Sequence, residues 1–137
     1  MDILTYTFHK FSDLPENRII GSGTILDTAR LRARLSEYYN ISQSNVHAYV
    51  FGEHGDSSFI PWSVANISNV PISKCNELIS LPGMESPALN FDEIEQYVRK
   101  SGGRVIARKG ATFYAVSISV CHICKCLLAG IDTTMTV

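Results

Sequence analysis

A chain of 137 residues, 45% apolar and 18% charged, can bury one sizeable core, which excludes a disordered segment and leaves room for a single domain. Its formal charge is -1 with no basic block, so it offers no electrostatic footprint to a phosphate backbone, and nucleic acid is excluded as a partner. No apolar run is long enough to span a bilayer and the start is no signal peptide, which points to the cytosol; the four cysteines, three of them crowded together, read as free thiols of a reducing compartment.

Ile3, Leu4, Phe8 and Phe11 recur at helical spacing, so the sequence predicts an amphipathic helix from Asp2 to Asp13, stopped by Pro15. A helix that begins at the first methionine, with no strand ahead of it, suggests a piece of a longer protein. Arg18-Ile19-Ile20 is a short strand candidate, and the turn Gly21-Ser22-Gly23 leads into a helix from about Thr24 to Tyr39. Residues 40–45 are polar loop. Val46 to Phe51 reads as a buried strand, and Phe59 to Ile67 as another, with Pro61 placing it at an edge or bulge.

Val70-Pro71-Ile72 is a short extended piece, followed by a Pro and Gly-bearing connection over 81–89. Asn90, with Glu93 three residues on, looks like a capping box opening a helix through Phe91, Ile94, Tyr97 and Val98 toward Lys109. Gly102 and Gly103 fall inside it, each costing roughly 1 kcal/mol against alanine, and predict a kink. Thr112 to Ala129 predicts a further helix with Phe113, Val116, Val120, Ile123 and Leu127 on one stripe. Thr134 to Val137 begins an extended run in which the chain stops. The fold class is α+β, with antiparallel strands packed against long helices and the domain truncated at its C-terminus.

The chemistry concentrates in two stretches. Gly52-Glu53-His54-Gly55-Asp56-Ser57-Ser58 holds a histidine between two glycines at the end of an apolar run, where small residues let a substrate approach a proton donor that works near neutral pH. Upstream, Asp27 and Arg30 are three apart on a helix and share a face, which Arg34 joins one turn later. Arg32 points about 200° away from Arg30, so the two arginines cannot serve one site. If Asp27 met His54 in space, it would fix the tautomer and leave the second ring nitrogen free to protonate a carbonyl oxygen, while Arg30 gripped a neighbouring carboxylate bidentately. The same spacing also describes a surface ion pair, or an aspartate that merely favours a helix N-terminus. Together the three residues suit a 2-oxo acid whose hydride comes from elsewhere, because no GxGxxG fingerprint follows a strand here.

The runs Asp2-Ile3-Leu4-Thr5-Tyr6, Gly21-Ser22-Gly23-Thr24 with Leu26-Asp27 and Ala29-Arg30, Gly52 to Ser58, and Lys109-Gly110-Ala111-Thr112 resemble, in order and spacing, those of the NAD-dependent L-lactate dehydrogenases. The resemblance covers nearly the whole chain. It implies that residues 1–137 are the substrate-binding domain, without the preceding dinucleotide-binding domain that holds most of the NAD and without the last strands and helix. In that family an Asn-Pro pair stands just ahead of the run that begins this chain.

By resemblance, His54 is the acid/base histidine, Asp27 its carboxylate partner, Arg30 the clamp on pyruvate or lactate, Thr112 part of the substrate pocket, and Ser22 a neighbour of the nicotinamide. Arg32 and His47 match positions that bind fructose bisphosphate at a subunit interface in the bacterial allosteric members; read without the family, they are a solvated arginine and a strand-edge histidine. A homo-oligomer is implied, and a fragment alone is expected to turn over little. Glu53 and Asp56 favour lactate over malate and hydroxyisocaproate. An alternative of another class is a free-standing sugar-phosphate-binding or assembly module without redox activity.

Cys121-His122-Ile123-Cys124-Lys125-Cys126 offers zinc-type ligands, but on a helix Cys124 and Cys126 diverge by about 200° and only Cys75 lies elsewhere. No metal is predicted. His9 reads as a surface residue and Trp62 as core or interface packing.

Overall fold

The computed structural model describes residues 1–79 and 89–137, and among them it has five α-helices and one small sheet. The helices are α1 (Asp2–Phe11), α2 (Ile25–Tyr39), α3 (Ile72–Ile79), α4 (Phe91–Lys109) and α5 (Tyr114–Ala129). The strands β1 (Val46–His47), β2 (Asn66–Ile67) and β3 (Val70–Pro71) form an antiparallel sheet in that order. The α+β expectation holds. None of the described helices is long and apolar enough to cross a membrane.

The core lies between α2, the sheet with its flanking extended segments, and α4. Leu31 and Leu35, one turn apart on α2, are fully buried beside Val46, Ala48, Val50, Ile60, Ile67, Ile94 and Val98. Ala48 and Val50 alternate with the more open His47 and Tyr49, the two-residue period of a half-buried extended segment. Ser68 and Asn69 join β2 to β3 in a two-residue turn with φ of 48° and 69°, a left-handed pair that twists with the strands. Asn69 N–H donates to Asn66 Oδ1 at 3.2 Å and holds that turn.

Extended structure is shorter than the sequence predicts. The run Val46 to Phe51 is a ladder only at β1, then a single bridge between Phe51 and Phe59. The run Phe59 to Ile67 breaks at Pro61, where Val64 N–H donates back to Pro61 O and Ala65 N–H to Trp62 O; proline supplies no ladder donor and sets up a turn. Arg18 ends a short 3-10 turn (Glu16–Arg18) and is not in a strand. Ile72 starts α3 and does not extend β3, a helix the sequence reading overlooked because its eight residues follow directly on Val70-Pro71. The predicted connection 81–89, apart from its last residue, lies outside the described residues.

The helices depart from expectation in burial more than in extent. None of the residues of α1 is buried, and the helix starts where predicted but ends at Phe11, two residues before Asp13, with Ser12 already extended. In α5 the buried positions are Ser119, Ile123 and Cys126, while Phe113, Val116, Val120 and Leu127 of the predicted stripe stand exposed. Trp62 stacks on Phe91 with ring centres 4.5 Å apart and packs on the core. His9 is half-buried, its Nδ1 enclosed and without a partner among the described residues.

Asn90 caps α4 by accepting Glu93 N–H at 3.3 Å and donating to Glu93 Oε1 at 3.0 Å. The helix runs unbroken through Gly102 and Gly103. A methyl group added at either glycine would meet no atom within 4 Å, so nothing in the packing requires them. Gly102→Ala and Gly103→Ala should each stabilise the fold by about 0.5–1 kcal/mol, read as a higher denaturant midpoint at unchanged slope.

Burial, with smaller contributions from Cys75 and Tyr38, pushes the Tyr39 phenol up to about 12; its O–H donates to Asn76 Oδ1 at 3.1 Å. The folded chain therefore keeps this proton after the unfolded chain has lost it. The contribution of this phenol to stability should be complete below pH ~10 and be lost as pH rises from there to about 12. Tyr39→Phe should remove that part of the decline, as followed by unfolding at stepped alkaline pH.

Candidate functional site

The site is assembled around the backbone of Val50. Thr24, at the head of α2, donates from Oγ1 to Val50 O at 2.6 Å, and Val50 N–H donates to Thr28 Oγ1 at 2.9 Å. Thr24 and Thr28 are one helical turn apart on one face, so both backbone polar groups of one buried residue are met by one helix. The C-terminal segment closes the same network: Thr24 N–H donates to Thr136 O at 2.9 Å, and the hydroxyls of Thr28 and Thr136 lie 2.9 Å apart. Thr134 to Val137 thus joins through these bonds and not as a strand.

Asp27 lies between the two threonines and is buried, its side chain 6% exposed. Its Oδ1 accepts from Arg30 Nη1 at 3.0 Å, and its Oδ2 lies 2.5 Å from His54 Nδ1. The sequence expectation that these three residues meet is realised by geometry. The imidazole is 42% exposed and its Nε2 makes no hydrogen bond among the described residues. With Nδ1–H given to the carboxylate, Nε2 is the nitrogen that can take or release a proton toward a bound molecule. Arg30 has no partner for Nε and Nη2 among the described residues, enough for a bidentate grip on a second carboxylate.

The histidine loop is held at three other points. Phe51 and Phe59 exchange two N–H···O bonds of 2.9 Å across its base. Gly52 has φ of 86° and would bring a Cβ to 3.2 Å from Ser57 O, so the turn requires a glycine. His54 N–H donates to Asp2 Oδ2 at 3.2 Å, and Arg99 donates from Nε and Nη2 to Ser58 O at 3.2 and 2.5 Å. Arg99 is itself paired with Glu95, which accepts from Trp62 Nε1.

Thr24, Thr28, Asp2 and Arg99 are site-building residues that the sequence reading did not single out. The first two carried a signal, two threonines at four-residue spacing astride Asp27. Asp2 and Arg99 carried none, because their partners are backbone atoms remote in sequence.

The remaining predicted residues are not drawn into this cluster. Arg34, expected on the face of Asp27 and Arg30, instead pairs with Glu37 at 3.5 Å and lies over the Tyr97 ring. Ser22 is half-buried in the turn before α2, where its carbonyl accepts Ile25 N–H. Thr112 is exposed between α4 and α5, and no hydrogen bond joins it to Asp27 or His54. Arg32 turns to β1, donating from Nε to Ala48 O at 3.2 Å with its guanidinium 4.6 Å over the Tyr49 ring; the exposed His47 is the residue before Ala48. A cavity of about 420 Å³ opens beside the histidine loop, bordered by Asp2, Tyr6, His9, Gly21, Gly23 and Gly52.

Residues 24–137 match the family described as lactate/malate dehydrogenase, alpha/beta C-terminal domain. The L-lactate dehydrogenase of Bacillus pumilus is 44% identical over the whole chain, which covers 42% of that protein; that of Shouchella clausii is 46% identical, with 41% covered. Among solved structures, a lactate dehydrogenase from a Medee basin deep-sea metagenome library aligns with a TM-score of 0.87 at 37% identity, over 97% of this chain and 41% of that one. The chain spans about two fifths of the length of the curated relatives it matches.

Because Thr28 Oγ1 is the buried acceptor for Val50 N–H, Thr28→Val should leave that donor unmet and cost about 1–3 kcal/mol in denaturant unfolding. Thr28→Ser, which keeps the hydroxyl, should recover most of the loss.

Proposed function

We infer, since the chain belongs to the lactate/malate dehydrogenase family, that residues 1–137 form the substrate-binding domain of an NAD-dependent L-lactate dehydrogenase interconverting pyruvate and L-lactate. The observation that carries this reading is Asp27, whose two carboxylate oxygens hold Arg30 and His54 side by side. One partner is a free proton carrier and the other a free carboxylate clamp, which is the complement a 2-oxo acid needs.

The roles divide accordingly. Arg30 pairs with the carboxylate of pyruvate through Nε and Nη2 and so fixes where the adjacent carbonyl lies. His54 Nε2 donates a proton to the carbonyl oxygen in the reductive direction and takes it back in the oxidative one. Asp27 keeps Nδ1 engaged throughout, so the proton always moves at Nε2. When bound, NADH supplies the hydride to the carbonyl carbon. Ser22, in the turn whose Gly21 and Gly23 border the cavity of about 420 Å³, is this chain's contribution to seating the nicotinamide. Thr112 lines the methyl side of the substrate once the whole protein is assembled.

Arg32 of α2, whose Nε donates to Ala48 O, and His47 of β1, the residue before Ala48, supply a guanidinium and an imidazole, which supports fructose bisphosphate as an activating ligand. The outward apolar side chains of α1, Ile3, Leu4, Phe8 and Phe11, are between 57 and 89% exposed, as expected of faces that a preceding domain and sister subunits cover in a homo-oligomer.

Joined to the dinucleotide-binding domain of the Bacillus pumilus relative, the chain should oxidise NADH with pyruvate, while the 137-residue chain alone should show little or no turnover. His54→Gln in the joined protein should lower kcat about 10²–10⁴-fold, and Arg30→Gln should act mainly by raising KM for pyruvate. Undiminished turnover in the histidine variant would rule the assignment out. Fructose bisphosphate should lower KM for pyruvate, and Arg32→Gln should abolish that response without changing the basal kcat.

A further inference from the structure

Away from the Asp27 cluster, α2 and α4 enclose a groove of about 430 Å³ whose walls include Arg34, Tyr38, Tyr97, Lys100 and Arg104. The one carboxylate among its described lining residues, Glu93, already accepts from Asn90 Nδ2 at 3.0 Å, so three cations face a single engaged anion there. The guanidinium carbons of Arg104 and Arg34 lie 4.0 and 5.1 Å from the centre of the same Tyr97 ring. An aromatic ring attracts each, and so holds together two like charges that would otherwise separate.

These groups have donors to spare. Arg104 uses only Nη2, on Tyr97 O at 2.7 Å and Ser101 Oγ at 2.9 Å; its Nε and Nη1 have no partner among the described residues. Lys100 Nζ donates once, to Gln96 Oε1 at 3.2 Å. The ion pair of Arg34 with Glu37 is solvent-exposed and correspondingly weak. The Tyr38 hydroxyl is buried without a hydrogen-bond partner among the described residues, an unfavourable state for an O–H that an acceptor in the groove would relieve. A carboxylate presents two oxygens to such a set, whereas a phosphomonoester presents three and a second negative charge, matching three cations and one hydroxyl.

We propose that the groove between α2 and α4 binds the phosphate of a small phosphomonoester, at a site separate from Arg32 and His47. Amide correlation spectra of the 137-residue chain, titrated with phenyl phosphate and in parallel with benzoate, test this. Phenyl phosphate should give saturable shifts centred on residues 34, 38, 97, 100 and 104, with benzoate binding much more weakly. Arg104→Gln and Tyr38→Phe should each reduce the affinity, and Lys100→Gln by roughly fivefold or more, while Arg32→Gln leaves it unchanged. Lys100 is exposed, so its variant carries the test even if replacing Arg104 unfolds the chain. Shifts confined to the surroundings of Arg32 and His47, no saturable shift, equal binding of benzoate, or full affinity in Lys100→Gln would overturn the proposal.

Discussion

Val50 is buried with its backbone carbonyl and N–H both answered from the head of α2, through Thr24 and Thr28. A buried extended segment normally meets its backbone needs from a neighbouring strand, yet the ladder here ends at His47. The helix stands in for the missing strand. That substitution fixes how far α2 can slide or turn against the segment leading into the histidine loop, since movement of either element would leave two buried polar groups unmet. Asp27 sits between the two threonines in sequence, and His54 lies four residues beyond Val50. The 2.5 Å approach of carboxylate and imidazole is therefore a consequence of the threonine clamp, not an independent contact.

Rigidity on the other side of the loop has a different origin. Asp2 of α1 takes His54 N–H, and Arg99 of α4 takes Ser58 O. Both charged partners act on backbone atoms of the loop, and neither takes a ring nitrogen of His54. The arrangement leaves Nε2 open among the described residues while the loop is tied at His54 N–H and Ser58 O. Asp27 serves the same division, because one oxygen for each partner keeps Arg30 and His54 adjacent while leaving both with unused donors.

Much of this was legible in the sequence, and where it was not, the reason is physical. The spans of α1, α2 and α4 follow from periodicity, capping and terminating residues, and Asn90 with Glu93 marks the start of α4 as the spacing predicts. Asp27, Arg30 and His54 were legible as chemistry, though only the fold could bring positions 27 and 54 together. Strand lengths failed because an alternating apolar pattern reports burial on one face, and Ala48 and Val50 are buried against a helix. The stripe of α5 failed for a related reason: Phe113, Val116, Val120 and Leu127 are apolar but exposed, and periodicity cannot say which surface an apolar face meets. Gly102 and Gly103 predicted a kink on propensity alone, whereas α4 continues because the packing of Ile94 and Val98 anchors the helix ahead of them.

Three arginines of α2 complete the picture of how one helix serves several purposes. Arg30, Arg32 and Arg34 alternate along it, and simple helical geometry separates Arg32 while placing Arg30 and Arg34 within about 40° of each other. The first separation is realised, with Arg32 on Ala48 and Tyr49. The second pairing is not. Four residues carry Arg34 about 6 Å along the axis, beyond the reach of Asp27 and into that of the Tyr97 ring on α4. A buried carboxylate captures the nearer guanidinium and an aromatic face the farther one, so partners on neighbouring elements, and not angular position alone, decide where a long cationic side chain goes. The same helix consequently delivers one positive charge to the histidine, one to β1 and one to the groove beside α4.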